Sequence, residues 1–105
     1  MIQRSVLFFL ICLFSISLKS QHDIFGDAKT YFDDGHYSKA QNLFISALIN
    51  DDEDHDQTLY YIALCSKNMQ NHDSEYWYRR LINNYSSSDF TEVARRDLAF
   101  IYFSH

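Results

Sequence analysis

After residue 22, apolar residues recur at spacings of three and four along the whole chain, the period of an α-helix. Ile24, Ala28, Tyr31 and Phe32 form a first stripe. Tyr37, Ala40, Phe44, Ala47 and Leu48 form a second. Leu59, Ile62, Ala63 and Ser66 form a third that runs out at Met69. Trp77, Tyr78, Leu81, Ile82 and Tyr85 make a fourth, and Val93, Ala94, Leu98, Ile101 and Tyr102 a fifth. No window sustains a period of two, so no strand is predicted. The pattern predicts an all-α chain of five helices, each of roughly 12 to 15 residues.

The breaks between stripes carry turn chemistry. In "DDGH", 33 to 36, Gly35 suits a left-handed helix end. "QNHDSE", 70 to 75, offers Asn71 or Asp73 as a helix start. Asp89 and Glu92, three apart, have capping-box spacing for the fifth helix, as Asp54 and Gln57 do for the third. Asn50 can close the second helix. Turns this short make successive helices antiparallel neighbours.

The helices also repeat weakly. Ala28, Ala63 and Ala99 recur at intervals of 35 and 36, with Tyr31, Ser66 and Tyr102 three positions later. A small residue lets two antiparallel helices approach closely, and an aromatic fills the space beside it. On these residues the chain resembles the tetratricopeptide repeat. "AKTYFDDGHYSKAQNLFISAL", 28 to 48, carries the small residue Ala28, the aromatic Tyr31, the turn Gly35–Tyr37 and the second-helix positions Ala40, Phe44 and Ala47. The second unit departs from the pattern: Ser66 replaces the aromatic, Gln70 replaces the turn glycine, and Ser74 or Glu75 takes the small second-helix position. Both units lack the usual proline. "YRRLINNYSSSDFTEVARRDLAFIY" looks most like repeats of bacterial envelope proteins, the outer-membrane assembly lipoprotein and Tol-Pal coordinator families. The resemblance implies two helix pairs, about 22–53 and 54–88, and a capping helix, about 89–103, stacked as a right-handed superhelix.

The beginning of the chain reads differently. "MIQRS" carries one positive charge, "VLFFLICLFSISL" is apolar throughout, and "KSQ" is polar. This is the layout of a secretory signal peptide over residues 1–20, with cleavage near Ser20 or Gln21. The apolar run falls short of the roughly 20 residues that span a bilayer. An uncleaved anchor is the alternative. Cys12 lies inside the apolar run after Ile11, a poor setting for lipid attachment. The expectation is an exported protein, periplasmic or secreted.

Export changes the charge. The chain has 9 basic and 14 acidic residues, a net charge of -5. Losing Arg4 and Lys19 leaves 7 against 14, or -7. Such a surface is unsuited to binding nucleic acid through phosphates. Cys65 would then stand alone, with no internal disulfide.

Candidate chemistry is sparse. The acidic stretch "NDDEDHDQT", 50 to 58, fails as a calcium loop: counting from Asp51, the sixth position is Asp56 and the twelfth Ile62, where Gly and Glu are required. It reads as the junction between helix pairs, with a docking patch or weak cation site as the alternative. His22, His36, His55, His72 and His105 include no pair at helical spacing, so no metal is expected. No phosphate loop or nucleophile elbow occurs, and no enzymatic activity or cofactor is expected. Trp77, between Tyr76 and Tyr78, reads as core. Arg79 and Arg96 each follow a glutamate by four, Glu75 and Glu92, the spacing of surface ion pairs.

The repeat resemblance implies a concave face lined by one side of each first helix. On this chain those positions are Phe25, Lys29 and Phe32; Tyr60, Leu64 and Lys67; and Arg96, Phe100 and Phe103, with core packing of some of the aromatics, in a register shifted by one, as the alternative. Aromatics and arginine carry much of the energy of interfaces. The expected function is a protein-interaction module, a small adaptor or assembly subunit that holds a protein or peptide segment there. Lys29 stands where carboxylate-clamping members of the family carry Asn, so no such clamp is expected. The alternatives are a structural piece that folds only as a homo-oligomer or within a larger repeat assembly and, behind it, a small envelope enzyme or metal binder.

Overall fold

The computed structural model describes residues 24–50 and 55–103. The apolar leader with its cleavage position, Cys12, His22, His105 and the acids 51 to 54 lie outside the described residues. The rest is all-α: α1 (Ile24–Asp33), α2 (Tyr37–Asn50), α3 (His55–Asn68), α4 (Asp73–Asn84) and α5 (Asp89–Phe103). Among the described residues there is no strand.

Helices α1 and α2 form one hairpin, α3 and α4 a second, and α2 also packs on α3. Helix α5 packs on α4 and, more lightly, on α3. The core has two linked parts. Ala28, Ala40, Phe44, Ile62 and Cys65 hold the first hairpin to α3. Leu59, Ala63, Tyr78, Leu81 and Ala94 hold the second hairpin to α5. Trp77 and Leu48 pack against both parts.

The two hairpins turn in the same way. Gly35 has φ +84, its N–H bonds to the Phe32 carbonyl at 3.0 Å, and the His36 N–H bonds to the Tyr31 carbonyl at 2.8 Å. Thirty-five positions on, Gln70 has φ 55, its N–H bonds to the Lys67 carbonyl at 3.0 Å, and the Asn71 N–H bonds to the Ser66 carbonyl at 2.9 Å. Both are Schellman closures around a left-handed residue. The second is built on a residue with a side chain. Ala28 and Ala40 share the first core part, and Ser74 is the buried small residue of α4. That decides between Ser74 and Glu75, since Glu75 is partly exposed and pairs with Arg79.

Several expectations are corrected. Ala99 is exposed; the buried small residue of α5 is Ala94, with Thr91 one turn before it. Val93 and Tyr102 are exposed as well, and Phe90 packs inward in their place. The cause is the neighbours available to α5: it lies against α4 and α3 on one side, so inward positions follow Thr91, Ala94, Leu98 and Ile101. The start of α5 is capped by Ser88, not Asp89. The Ser88 hydroxyl oxygen accepts the Phe90 N–H at 3.2 Å, as an N-cap does. Neither candidate caps α4: the cap position is His72, without a side-chain cap bond, and Asn71 before it accepts the Asp73 N–H on its side-chain oxygen at 3.0 Å. Cys65 is wholly buried.

Candidate functional site: the face shared by α1, α3 and α5

On α1, Phe25, Lys29 and Phe32 converge on Tyr61 of α3. Phe25 meets the Tyr61 ring edge-on at 5.9 Å and Phe32 at 5.4 Å. The Lys29 ammonium lies 5.3 Å from the same ring centre. Phe44 stacks on Tyr61 from below at 5.2 Å. Phe25 and Phe32 are therefore half-buried shoulders of the core. Lys29 makes no ion pair among the described residues.

On α3, Tyr60 and Lys67 converge on Asp97 of α5. Tyr60 donates to Asp97 Oδ2 at 3.4 Å and Tyr78 at 3.0 Å, and the Lys67 ammonium stands 3.8 Å from Oδ1. The Tyr60 ring also contacts Phe90 at 5.6 Å. Burial, and then the negative charge of Asp97, push the Tyr60 phenol up to about 12. The same causes push Tyr78, fully buried, higher still. Asp97 was not among the residues picked from sequence. Its one signal was an acid on the inward side of an otherwise apolar helix face, which calls for buried donors.

Leu64 is half-buried between Tyr60 and Lys67 along α3. Beside Lys67 a groove of about 630 Å³ opens between the end of α3, the start of α4 and the second half of α5. Gln70, His72, Glu75, Phe100 and Tyr102 line it, so Lys67 and Phe100 do come together. Arg96 and Phe103 stand apart from it. Arg96 is exposed and paired with Glu92 at 3.2 Å, and Phe103 is 90 % exposed.

A polar network closes the α4 side. The Tyr102 hydroxyl donates to Glu75 Oε1 at 2.5 Å and accepts from Arg79, which also reaches Glu75 at 3.0 Å. The Tyr102 bond and then the Arg79 guanidinium hold the Glu75 carboxyl below the usual range.

The acidic stretch contributes one described acid, Asp56. It accepts the Gln57 N–H at 2.9 Å and the Ser88 hydroxyl at 2.6 Å. Asp56 thereby ties the start of α3 to the residue that caps α5, a joining role within the fold. Among the described residues no group of three or more His, Cys, Asp or Glu is placed to hold a metal. No described helix is long and apolar enough to cross a membrane. Fold and site define a chain of two helical hairpins closed by a fifth helix, with one cluster of α1 side chains on Tyr61 of α3 and a second cluster on Asp97 of α5. No family model, curated protein or solved structure matches this chain.

Proposed function

We propose that the protein is an exported, tetratricopeptide-like interaction module of the cell envelope, a small adaptor or assembly subunit. It holds an apolar partner segment bearing an acidic group against the inner face of α1, α3 and α5. The observation that carries this reading is the pair of matching turns at Gly35 and Gln70. Two hairpins that close alike and pack in sequence set their first helices side by side, which supports a continuous recognition face. Its chemistry is the half-buried rings of Phe25 and Phe32 beside the Lys29 ammonium, all three grouped on Tyr61, with half-buried Leu64 further along α3. Lys67 adds a second cation, partly offset by Asp97. The mode of action is equilibrium binding, with no bond made or broken.

Random peptides displayed on phage and panned against the purified chain test this reading. Enriched sequences are expected to place Asp or Glu within a few residues of a bulky apolar side chain. Lys29→Glu with Lys67→Glu should weaken those peptides at least tenfold, with helical circular dichroism unchanged. Enrichment of basic sequences, or binding indifferent to both reversals, would sink the proposal.

A further inference from the structure

Four of the six large apolar side chains exposed among the described residues lie on α5: Val93, Phe100, Tyr102 and Phe103. Phe100 is 67 % exposed and Phe103 90 %. Val93, Arg96, Phe100 and Phe103 follow one another at spacings of three, four and three. That is the seam spacing of two helices packed along their lengths. It lies on the side of α5 away from buried Thr91 and Ala94, with the small, exposed Ala99 beside it and Phe100 at its border with the groove next to Lys67. An apolar stripe facing outward on a helix at the edge of a stack marks a contact surface.

We infer that this stripe docks a second copy of the chain, α5 against α5, antiparallel about a two-fold axis. The seam is complementary to itself in that direction. With the helices reversed and centred near Leu98, Val93 falls beside Phe103 of the other copy and Arg96 over its Phe100. The first pair is apolar on apolar, and the second sets a guanidinium on an aromatic face. Helix α5 carries Asp89, Glu92 and Asp97 against Arg95 and Arg96, and Arg96 is already paired with Glu92. Two such helices therefore meet with little of the repulsion that a chain of net charge -5 otherwise exerts.

The other end of the stack is built differently. Gly26, Asp27, Thr30, Asp33 and Asp34 of α1 and its turn are exposed. Docking Phe100 and Phe103 there would strip water from carboxylates and gain no apolar surface, so a head-to-tail chain of copies is disfavoured. An isologous contact uses the same patch twice and closes at two. The area is modest. Aromatic side chains bury roughly 150–250 Å² each, so two phenylalanines per copy with their neighbours give an interface on the order of 1,000 Å². That is the small end for a specific contact, the size of weak, exchanging encounters, and the dimer is expected to exchange with monomer at micromolar concentration.

Sedimentation equilibrium of the purified full chain tests this. Mass should rise from monomer to dimer across the micromolar range. Phe100→Lys with Phe103→Lys should hold the chain monomeric at unchanged helicity, and Lys29→Glu with Lys67→Glu should leave the dimer intact. Failure of the concave-face reading thus stays separate from failure of this one. In a Cys12→Ser background, Val93→Cys mixed with Phe103→Cys should form the mixed disulfide dimer far faster than Val93→Cys alone, because Cys65 is buried. A monomer up to about 200 µM, well above the range such an interface implies, overturns the inference. So does a lysine variant that sediments as wild type, or faster linkage of Val93→Cys to itself.

Discussion

The Gln41 side-chain amide of α2 donates to the Ser66 hydroxyl of α3 at 2.6 Å, and also to the Ile62 carbonyl at 3.1 Å. Ser66 stands where the first hairpin has Tyr31, and it is wholly buried. A hydroxyl inside a core needs a partner, and the preceding hairpin supplies it. Gln41→Ala should therefore cost about 1–2 kcal/mol in chemical denaturation, chiefly from the orphaned hydroxyl. Adding Ser66→Ala should recover part of the loss. Additive costs in the double-mutant cycle would show that the two groups do not couple.

The matching turns make opposite predictions. Gly35→Ala forces a side chain into a left-handed conformation, although a Cβ there would meet nothing within 4 Å. The loss should be about 1 kcal/mol and come from the backbone alone. Gln70→Gly relieves the same strain at φ 55 and should stabilise by about 0.5–1 kcal/mol. Thermal melts of both variants check this; equal signs would count against two equivalent turns.

Tyr60 and Tyr78 make stability fall at high pH. Both phenols are raised in the folded chain, so the folded state keeps protons that the unfolded state releases above about 10. Their contribution is complete below pH 10 and is lost as pH climbs toward about 12, where Tyr60 titrates. Tyrosinate absorbance should rise in two phases, the second coinciding with loss of helicity. Asp97→Asn lowers the barrier to ionisation by removing the negative charge, and should move the second phase to lower pH. A single phase near pH 10 would contradict the buried pair.

Burial pushes the Cys65 thiol up to about 12. Disulfide reagents at pH 8 should leave Cys65 unmodified in the native chain and modify it fully in denaturant. Rapid native labelling would show that the first core part opens readily.

The five helices and their order were legible because apolar spacing is local. Ala28, Ala40, Phe44, Ile62, Ala63, Tyr78 and Leu81 were placed in stripes, and all are buried. Gly35 was legible because few other residues take its conformation at so little cost. Legibility ended at α5. Its pattern of Val93, Ala94, Leu98, Ile101 and Tyr102 fits a helix whichever way it is rolled, and the contacts with α4 and α3 chose the side.

The site divides in the same way. Phe25, Lys29, Phe32, Tyr60 and Lys67 were singled out from the sequence, but Tyr61 and Asp97, on which those five converge, were not. A ring or carboxylate becomes a centre only when side chains distant in sequence reach it, as Tyr60, Lys67 and Tyr78 reach Asp97. Local order along the chain, helix period and turn residues, determined that this protein is all-α and the order in which its five helices come. Packing between helices decided which faces are buried, that Asp56 joins α3 to the cap of α5, and that α5 keeps Phe100 and Phe103 outward. Periodicity specifies a stripe, and only a neighbour with volume to share specifies which stripe goes dry.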